Sequence, residues 1–115
     1  MPLLVSVRDL VFRSKIHAAA ERLGVPVRFA PRGARLSDAA RELGQGTVIA
    51  DLSEPGVLDE VRAARQAGLP VRIIGFLGHV EVELAGAARA AGVDEVISRG
   101  QFVQRLDALL TEHAG

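Results

Sequence analysis

The stretch TVIADLSEPG, residues 47–56, places an aspartate directly after a run of strand-forming residues, with a proline four positions later. Asp51 therefore stands where a buried strand is predicted to end, with Ser53 just beyond it. A carboxylate in this position can be the acceptor of a phosphoryl group. It can equally be the polar residue that ends the strand and caps the following turn with its side chain. The side chains that surround Asp51 decide between these roles.

Three further charged residues are predicted to lie near Asp51. Arg8 and Asp9 follow the first apolar run of the chain, and Arg99 follows the last. In an open parallel sheet, reactive groups gather outside the carboxyl ends of the strands, where the strand order reverses. A guanidinium can bind a carboxylate through two hydrogen bonds, so we expect an ion pair of Asp51 with Arg8, Arg99 or both. Asp9 also suits the N-cap of the first helix.

The elements that must position these residues alternate along the chain. Apolar, largely β-branched runs begin at Pro2, Val25, Thr47, Pro70 and Val93. Segments with helical periodicity lie at about 9–23, 36–43, 55–67, 79–91 and 101–113. Strands that alternate with helices indicate a parallel sheet. We predict a three-layer α/β sandwich of flavodoxin-like type, with five parallel strands in the order 2-1-3-4-5, strands two and five at the edges, and a single domain over residues 1–115.

Composition excludes several classes of function. The 115 residues include 14 basic and 14 acidic side chains and no cysteine. Balanced charge argues against nucleic acid or an anionic membrane as partner, and the scattered histidines argue against a metal site. Neither GxGxxG nor GxxxxGK occurs, so no nucleotide cofactor is expected. The first residues lack the features of an export signal, and a cytoplasmic location is expected.

The stretch DLSEPG at the end of strand three, together with GAARAAGVDEVISRG near the last strand, resembles the receiver domain of bacterial response regulators, the CheY-like family. The likeness covers the whole chain. It implies a flavodoxin-like fold. In that family the aspartate after strand three accepts a phosphoryl group, and an acidic pair after strand one holds Mg²⁺. A serine or threonine after strand four and a lysine after strand five contact the phosphoryl group.

Carried onto this chain, the resemblance is incomplete near the acceptor. Asp51 matches the phosphoacceptor, and Pro55 matches the turn after it. The acidic pair falls on Val7 and Arg8, and the nearest carboxylate, Asp9, stands one position late. Mg²⁺ requires oxygen ligands, whereas Arg8 introduces a fixed positive charge where the metal would lie.

The remaining two positions of the family pattern also differ. The hydroxyl position falls at Leu77 or a neighbour, in a turn without serine or threonine, and the lysine position is Arg99. The resemblance therefore implies a degenerate receiver, or pseudo-receiver, with no catalytic residue and no Mg²⁺-dependent phosphorylation.

Two functions remain open. One is a stand-alone signalling domain, not an enzyme, that contacts a protein partner or a second copy of itself. Its predicted contact face comprises helix 4, strand 5 and helix 5, with HVEVELAG, Arg99, Gln101, Gln104 and Arg105. The other is a binder of a small anionic ligand or nucleotide, or an enzyme, that uses the crevice of Arg8, Asp51 and Arg99. The first predicts a shallow, ion-paired crevice, and the second predicts a deep pocket with an unpaired arginine.

Overall fold

A five-stranded parallel sheet forms the centre of the molecule. The structure, a computed structural model, describes residues 2–78 and 82–114. The strands are β1 (Leu3–Ser6), β2 (Arg28–Phe29), β3 (Gly46–Asp51), β4 (Val71–Leu77) and β5 (Glu95–Ser98). Their order is β2-β1-β3-β4-β5, and every neighbouring pair is parallel. The predicted strand order is confirmed, and it reverses between β1 and β3.

Strand β2 is much shorter than the apolar run that predicted it. Only Arg28 and Phe29 pair with β1, although the run begins at Val25. Pro26 has no main-chain N–H and cannot donate to a ladder, which limits pairing to the end of the run. Strand β4 extends one residue beyond the apolar run PVRIIGF, residues 70–76, and ends at Leu77.

Six helices cover the sheet in the described part of the chain. They are α1 (Leu10–Leu23), α2 (Leu36–Leu43), α3 (Val57–Gln66), α4 (Val82–Ala91), α5 (Arg99–Gln104) and α6 (Leu106–Ala114). The predicted fifth helix is thus two helices, separated by a turn at Arg105. The predicted start of α4, at residues 79–81, lies outside the described residues. Within residues 2–78 and 82–114, no helix is long and apolar enough to cross a bilayer.

Helix α3 begins later than its proline predicts. The main-chain N–H of Val57 donates to the carbonyl of Glu54, and Gly56 between them has a φ of 76°. A proline followed by a residue of positive φ is the signature of a type II turn. Pro55 therefore belongs to the turn that leads away from Asp51, and the helix starts only after Gly56.

The core lies on both faces of the sheet. Along β3, Val48 and Ala50 pack on the side of α2, α3 and α4, whereas Ile49 packs on the side of α1, α5 and α6. Every residue of β3 is buried, as a central strand covered on both faces requires. The three-layer arrangement is confirmed. It brings the carboxyl ends of β1, β3, β4 and β5 to one edge of the sheet.

Candidate functional site

Asp51 is the last residue of β3, and its side chain is only 6% exposed. Its Oδ1 accepts a hydrogen bond from the main-chain N–H of Ser53 at 2.9 Å and another from the Ser53 hydroxyl at 2.6 Å. This is the local side-chain-to-backbone pattern by which an aspartate caps a turn. One carboxylate oxygen of Asp51 is therefore used to shape the loop after β3.

Arg99 is the first residue of α5, and the cap of that helix sets its position. The Ser98 side chain accepts from the main-chain N–H of Gln101, and the Gln101 side chain accepts from the main-chain N–H of Ser98. Such a capping box fixes how the chain enters a helix. It directs the Arg99 side chain toward the carboxyl end of β3.

Asp51 and Arg99 form the ion pair that the sequence predicts, in a loose geometry. A terminal nitrogen of Arg99 lies 3.6 Å from Oδ2 of Asp51, beyond the distance of a charge-assisted hydrogen bond. The guanidinium carbon lies 5.0 Å from the ring centre of Phe12 and 5.9 Å from that of Phe76. Nε of Arg99 is buried and has no hydrogen-bond partner among the described residues. Two aromatic faces and one carboxylate oxygen thus hold the guanidinium.

Arg8 pairs with Glu54, and the predicted pair with Asp51 does not form within the described residues. The main-chain N–H of Arg8 donates to Oε2 of Glu54 at 2.9 Å, and Nε of Arg8 lies 4.0 Å from Oε1. The Arg8 side chain is 55% exposed. Glu54 therefore joins the loop after β1 to the loop after β3.

Sequence reasoning missed Glu54 as a member of the site. Its signal is the Pro55–Gly56 pair, which permits the type II turn described above. That turn reverses the chain directly after Glu54, and the carboxylate remains at the edge of the sheet beside Arg8.

The pKa of Glu54 is raised above its ordinary value of 4.5. Burial is the largest cause, because it disfavours the charged carboxylate. The hydrogen bond from the Arg8 main chain opposes this shift, the negative charge of Asp51 adds to it, and the Arg8 charge again opposes it. The negative charge of Asp51 thus reaches Glu54 across the loop that joins them.

Asp9 caps helix α1 and does not converge on Asp51. Its Oδ1 accepts from the main-chain N–H groups of Val11 at 2.8 Å and Phe12 at 3.1 Å. Of the two roles considered for Asp9, the N-cap is the one observed. A side-chain oxygen in this position satisfies donors that have no partner within the helix.

The residues at this edge do not fit Mg²⁺. The ion needs near-octahedral oxygen ligands, usually with one or two carboxylates free to bind. Here one oxygen of Asp51 accepts two hydrogen bonds from Ser53, Glu54 is held by Arg8, and Asp9 caps a helix. No cluster of three or more acidic or histidine side chains suited to a metal occurs in residues 2–78 and 82–114. Leu77, at the hydroxyl position, is buried at the end of β4.

A cleft of about 210 Å³ lies beside the Arg8–Glu54 pair, between the starts of α2 and α3. Arg35 lines it and has no carboxylate within 4.0 Å among the described residues. Glu60 also lines it, and its Oε1 accepts from the main-chain N–H and the hydroxyl of Ser37. The cleft therefore presents both signs of charge, with Arg35 as its unpaired cation.

No protein-family model and no curated protein sequence matches the chain. Solved structures do match. The signal receiver domain of NarL from Mycobacterium tuberculosis has a TM-score of 0.80 and 18% identity, and the match covers 96% of this chain and 93% of that chain.

Two further structures give the same result. Chemotaxis protein CheY4 from Vibrio cholerae has a TM-score of 0.77 and 17% identity, with 98% of each chain covered. A response regulator from Thermotoga maritima has a TM-score of 0.73 and 21% identity, with 97% of this chain and 93% of that chain covered. The chain has the flavodoxin-like fold of response-regulator receiver domains.

Proposed function

We propose that this chain is a receiver-like signalling domain of the cytoplasm that acts through protein contacts and is not an enzyme. Asp51 occupies the place of a phosphoacceptor but has become a structural residue of the loop after β3. In this proposal the site neither binds Mg²⁺ nor turns over phosphate.

One observation carries the proposal: Asp51 has a hydrogen-bonded oxygen on one side and a fixed cation, Arg99, on the other. Oδ1 accepts two hydrogen bonds from Ser53, and Oδ2 faces Arg99. Phosphoryl transfer to a carboxylate brings two anions together and depends on cations that neutralise the developing charge. Arg8, at the position of an acidic metal ligand, instead pairs with Glu54.

The experiment is incubation with acetyl phosphate and Mg²⁺, followed by intact-mass measurement and peptide mapping. We expect no phosphoryl adduct at Asp51 in the wild type. A phosphorylatable receiver treated in parallel shows that the reagent is active, and the Asp51→Asn variant shows the background. An adduct that maps to Asp51 and is absent from Asp51→Asn would overturn the proposal.

The contact surface that we propose comprises α4, β5 and α5. On this side Val103 is 43% exposed and Val82 is 79% exposed. Glu95 of β5 lies between Arg72 at 3.7 Å and Arg105 at 2.9 Å. Exposed apolar side chains beside charged groups suit a polar-rimmed protein interface. Val103→Glu should weaken binding of a protein partner or of a second copy, whereas Ala18→Glu on the exposed face of α1 should leave binding unchanged.

The cleft beside Arg8 supports a second candidate, the binding of a small anion. Arg35 is the observation that favours it, because this cation lacks a carboxylate partner in the described residues. A thermal-shift screen with phosphate, nucleotides and citrate tests it, since a ligand at 100 times its Kd stabilises by about 2.7 kcal/mol. A shift that Arg35→Ala abolishes and Arg89→Ala retains would favour this function over the first.

A further inference from the structure

The outer edge of β2 is an open strand edge flanked by grooves. Strand β2 lies at the end of the sheet and pairs only with β1 in the described structure. The main-chain N–H of Ala30 donates to the carbonyl of Val5 at 2.9 Å. Because main-chain groups alternate in direction along a strand, those of Phe29 point away from the sheet. Unpaired groups of this kind are a template for another strand.

A groove runs along the α1 side of this edge. Two adjoining cavities, of about 310 and 390 Å³, share His17 and Phe29. Leu10 lines the first and is 59% exposed, and Val25 and Val27 line the second. Side chains on one face of an added strand would therefore meet an apolar floor.

The α2 side of the edge is narrower and carries a cation. A cavity of about 120 Å³ is lined by Arg28 and Glu42, among others. No carboxylate lies within 4.0 Å of the Arg28 guanidinium in residues 2–78 and 82–114. Successive side chains of a strand point to opposite faces of the sheet. An added strand would direct every second side chain toward the α2 side of the sheet, where Arg28 lies.

The α1 side carries one arginine, Arg13, and one glutamate, Glu21. Arg13 donates to the carbonyls of Val7 and Ala30, both at 2.9 Å, and lies 5.2 Å from the ring centre of Phe29. Glu21, the acid of this groove, pairs with His17 at 3.2 Å. The hydrogen bonds of Arg13 therefore join the end of β2 to the loop after β1.

We propose that this edge binds an extended segment of a partner protein in which apolar and acidic residues alternate, and that the segment adds to the sheet as a sixth strand beside β2. Apolar side chains of the segment would lie on Leu10 and Phe29, and its carboxylates would face Arg28. This surface is separate from the face of α4, β5 and α5, since it lies at the opposite edge of the sheet.

Charge selects a foreign strand over a second copy of the chain. If two copies paired through β2, the two Arg28 side chains would lie near each other across the interface, and like charges on paired strands are destabilising. Pro26 and Pro31 bracket the edge and restrict pairing to the few residues between them. The site is therefore short, and its affinity depends on side-chain complementarity as well as on main-chain bonds.

The test is a titration of ¹⁵N-labelled protein with a short, end-blocked peptide of alternating valine and glutamate. We expect saturable shifts of the amide signals of residues 27–30 and of Leu10 and His17. The corresponding valine–lysine peptide should bind about fivefold more weakly or worse, because a lysine would lie beside Arg28 in place of a carboxylate. Arg28→Glu should reverse that preference, whereas Arg89→Glu, the same charge change on α4, should not.

The proposal is overturned if the shifts map to another surface, if both peptides bind equally, or if no saturable shift occurs. A glutamate peptide that is N-methylated at its central residues lacks the N–H donors of a strand and should lose binding. Equal binding of that peptide would exclude strand addition. Concentration-dependent shifts of residues 27–30 without any peptide would assign the edge to self-association, and would equally overturn the proposal.

Discussion

Two arginine–aspartate pairs lie at opposite ends of the sheet, and they differ in how fully they are hydrogen-bonded. At the amino end, Arg65 contacts Asp94 at 2.7 Å and also donates to the carbonyls of Gly92 at 3.0 Å and Val71 at 2.6 Å. Asp94 in turn accepts from the main-chain N–H of Ile73 at 2.7 Å. Every donor nitrogen of this guanidinium has a partner, so the pair joins α3, β4 and the loop before β5.

At the carboxyl end, Arg99 lies 3.6 Å from Asp51, and its Nε has no partner among the described residues. The residue types are the same, but this guanidinium lies on aromatic rings and this carboxylate is shared with a serine. A guanidinium whose donors are all paired stabilises a fold, whereas a buried donor without a partner costs stability. The pair at the amino end is thus fully hydrogen-bonded, and the pair at the carboxyl end is loosely held.

The largest expected loss of stability comes from the pair at the amino end of the sheet. Arg65→Ala should lower the free energy of unfolding by about 3 kcal/mol, since it removes several charge-assisted hydrogen bonds and leaves their acceptors unpaired. Urea denaturation measures this. Arg89→Ala, on the exposed face of α4, is the control and should change stability by less than about 0.5 kcal/mol. A loss for Arg65→Ala no larger than that of the control would contradict the structural role.

Asp51→Ala should cost about 2 kcal/mol, because it removes two hydrogen bonds from Ser53 to a buried carboxylate. Asp51→Asn keeps an oxygen that can accept from Ser53 and should stay within about 1 kcal/mol of the wild type. The same denaturation experiment compares the two variants. Equal losses for both would mean that the charge of Asp51, and not its hydrogen bonds, stabilises the loop.

Arg99→Ala should cost only about 1 kcal/mol, because a partly exposed ion pair and a cation–π contact are each worth little. Arg99→Lys serves as the matched variant that keeps the charge. If Arg99→Ala destabilises as strongly as Arg65→Ala does, the two pairs are equivalent and the comparison fails.

The smallest effect concerns the pH dependence of stability. Since the pKa of Glu54 is higher in the folded state than its ordinary 4.5, the folded state binds this proton more tightly. Its contribution to stability is full below pH 4.5 and is lost as the pH rises through the folded pKa. Glu54→Gln should therefore gain stability relative to the wild type across that window. Denaturation at a series of pH values checks the sign, and a difference that falls with rising pH would contradict it.

The fold was predictable from the sequence because its signals are local and repeated. Helix α1 ends at Gly24, where φ is 68°, and α2 spans its predicted residues 36–43. The predicted start of α3 was wrong because Pro55 has two possible roles. Pro55 suits the first turn of a helix as well as the second position of a type II turn, and only Gly56 after it favours the turn.

The candidate site was predictable only in part. The pair of Asp51 with Arg99 was expected, as was the N-cap role of Asp9. The partner of Arg8 was not expected, because any carboxylate at the same edge of the sheet can form an ion pair with an exposed arginine. Which one does so depends on the direction in which the chain leaves β3.

By itself the sequence determined the order of the strands, the position of Asp51 at the end of β3 and the lack of an acidic pair at Val7 and Arg8, after β1. These follow from the period of apolar residues and from residue type at a given place, which neighbouring loops cannot change. The tertiary structure decided that Arg8 pairs with Glu54, that Ser53 donates hydrogen bonds to Asp51, and that the Arg99 guanidinium lies on the ring of Phe12. Ion pairs and hydrogen bonds act over a few ångströms, and those distances exist only once the loops have been placed around the sheet.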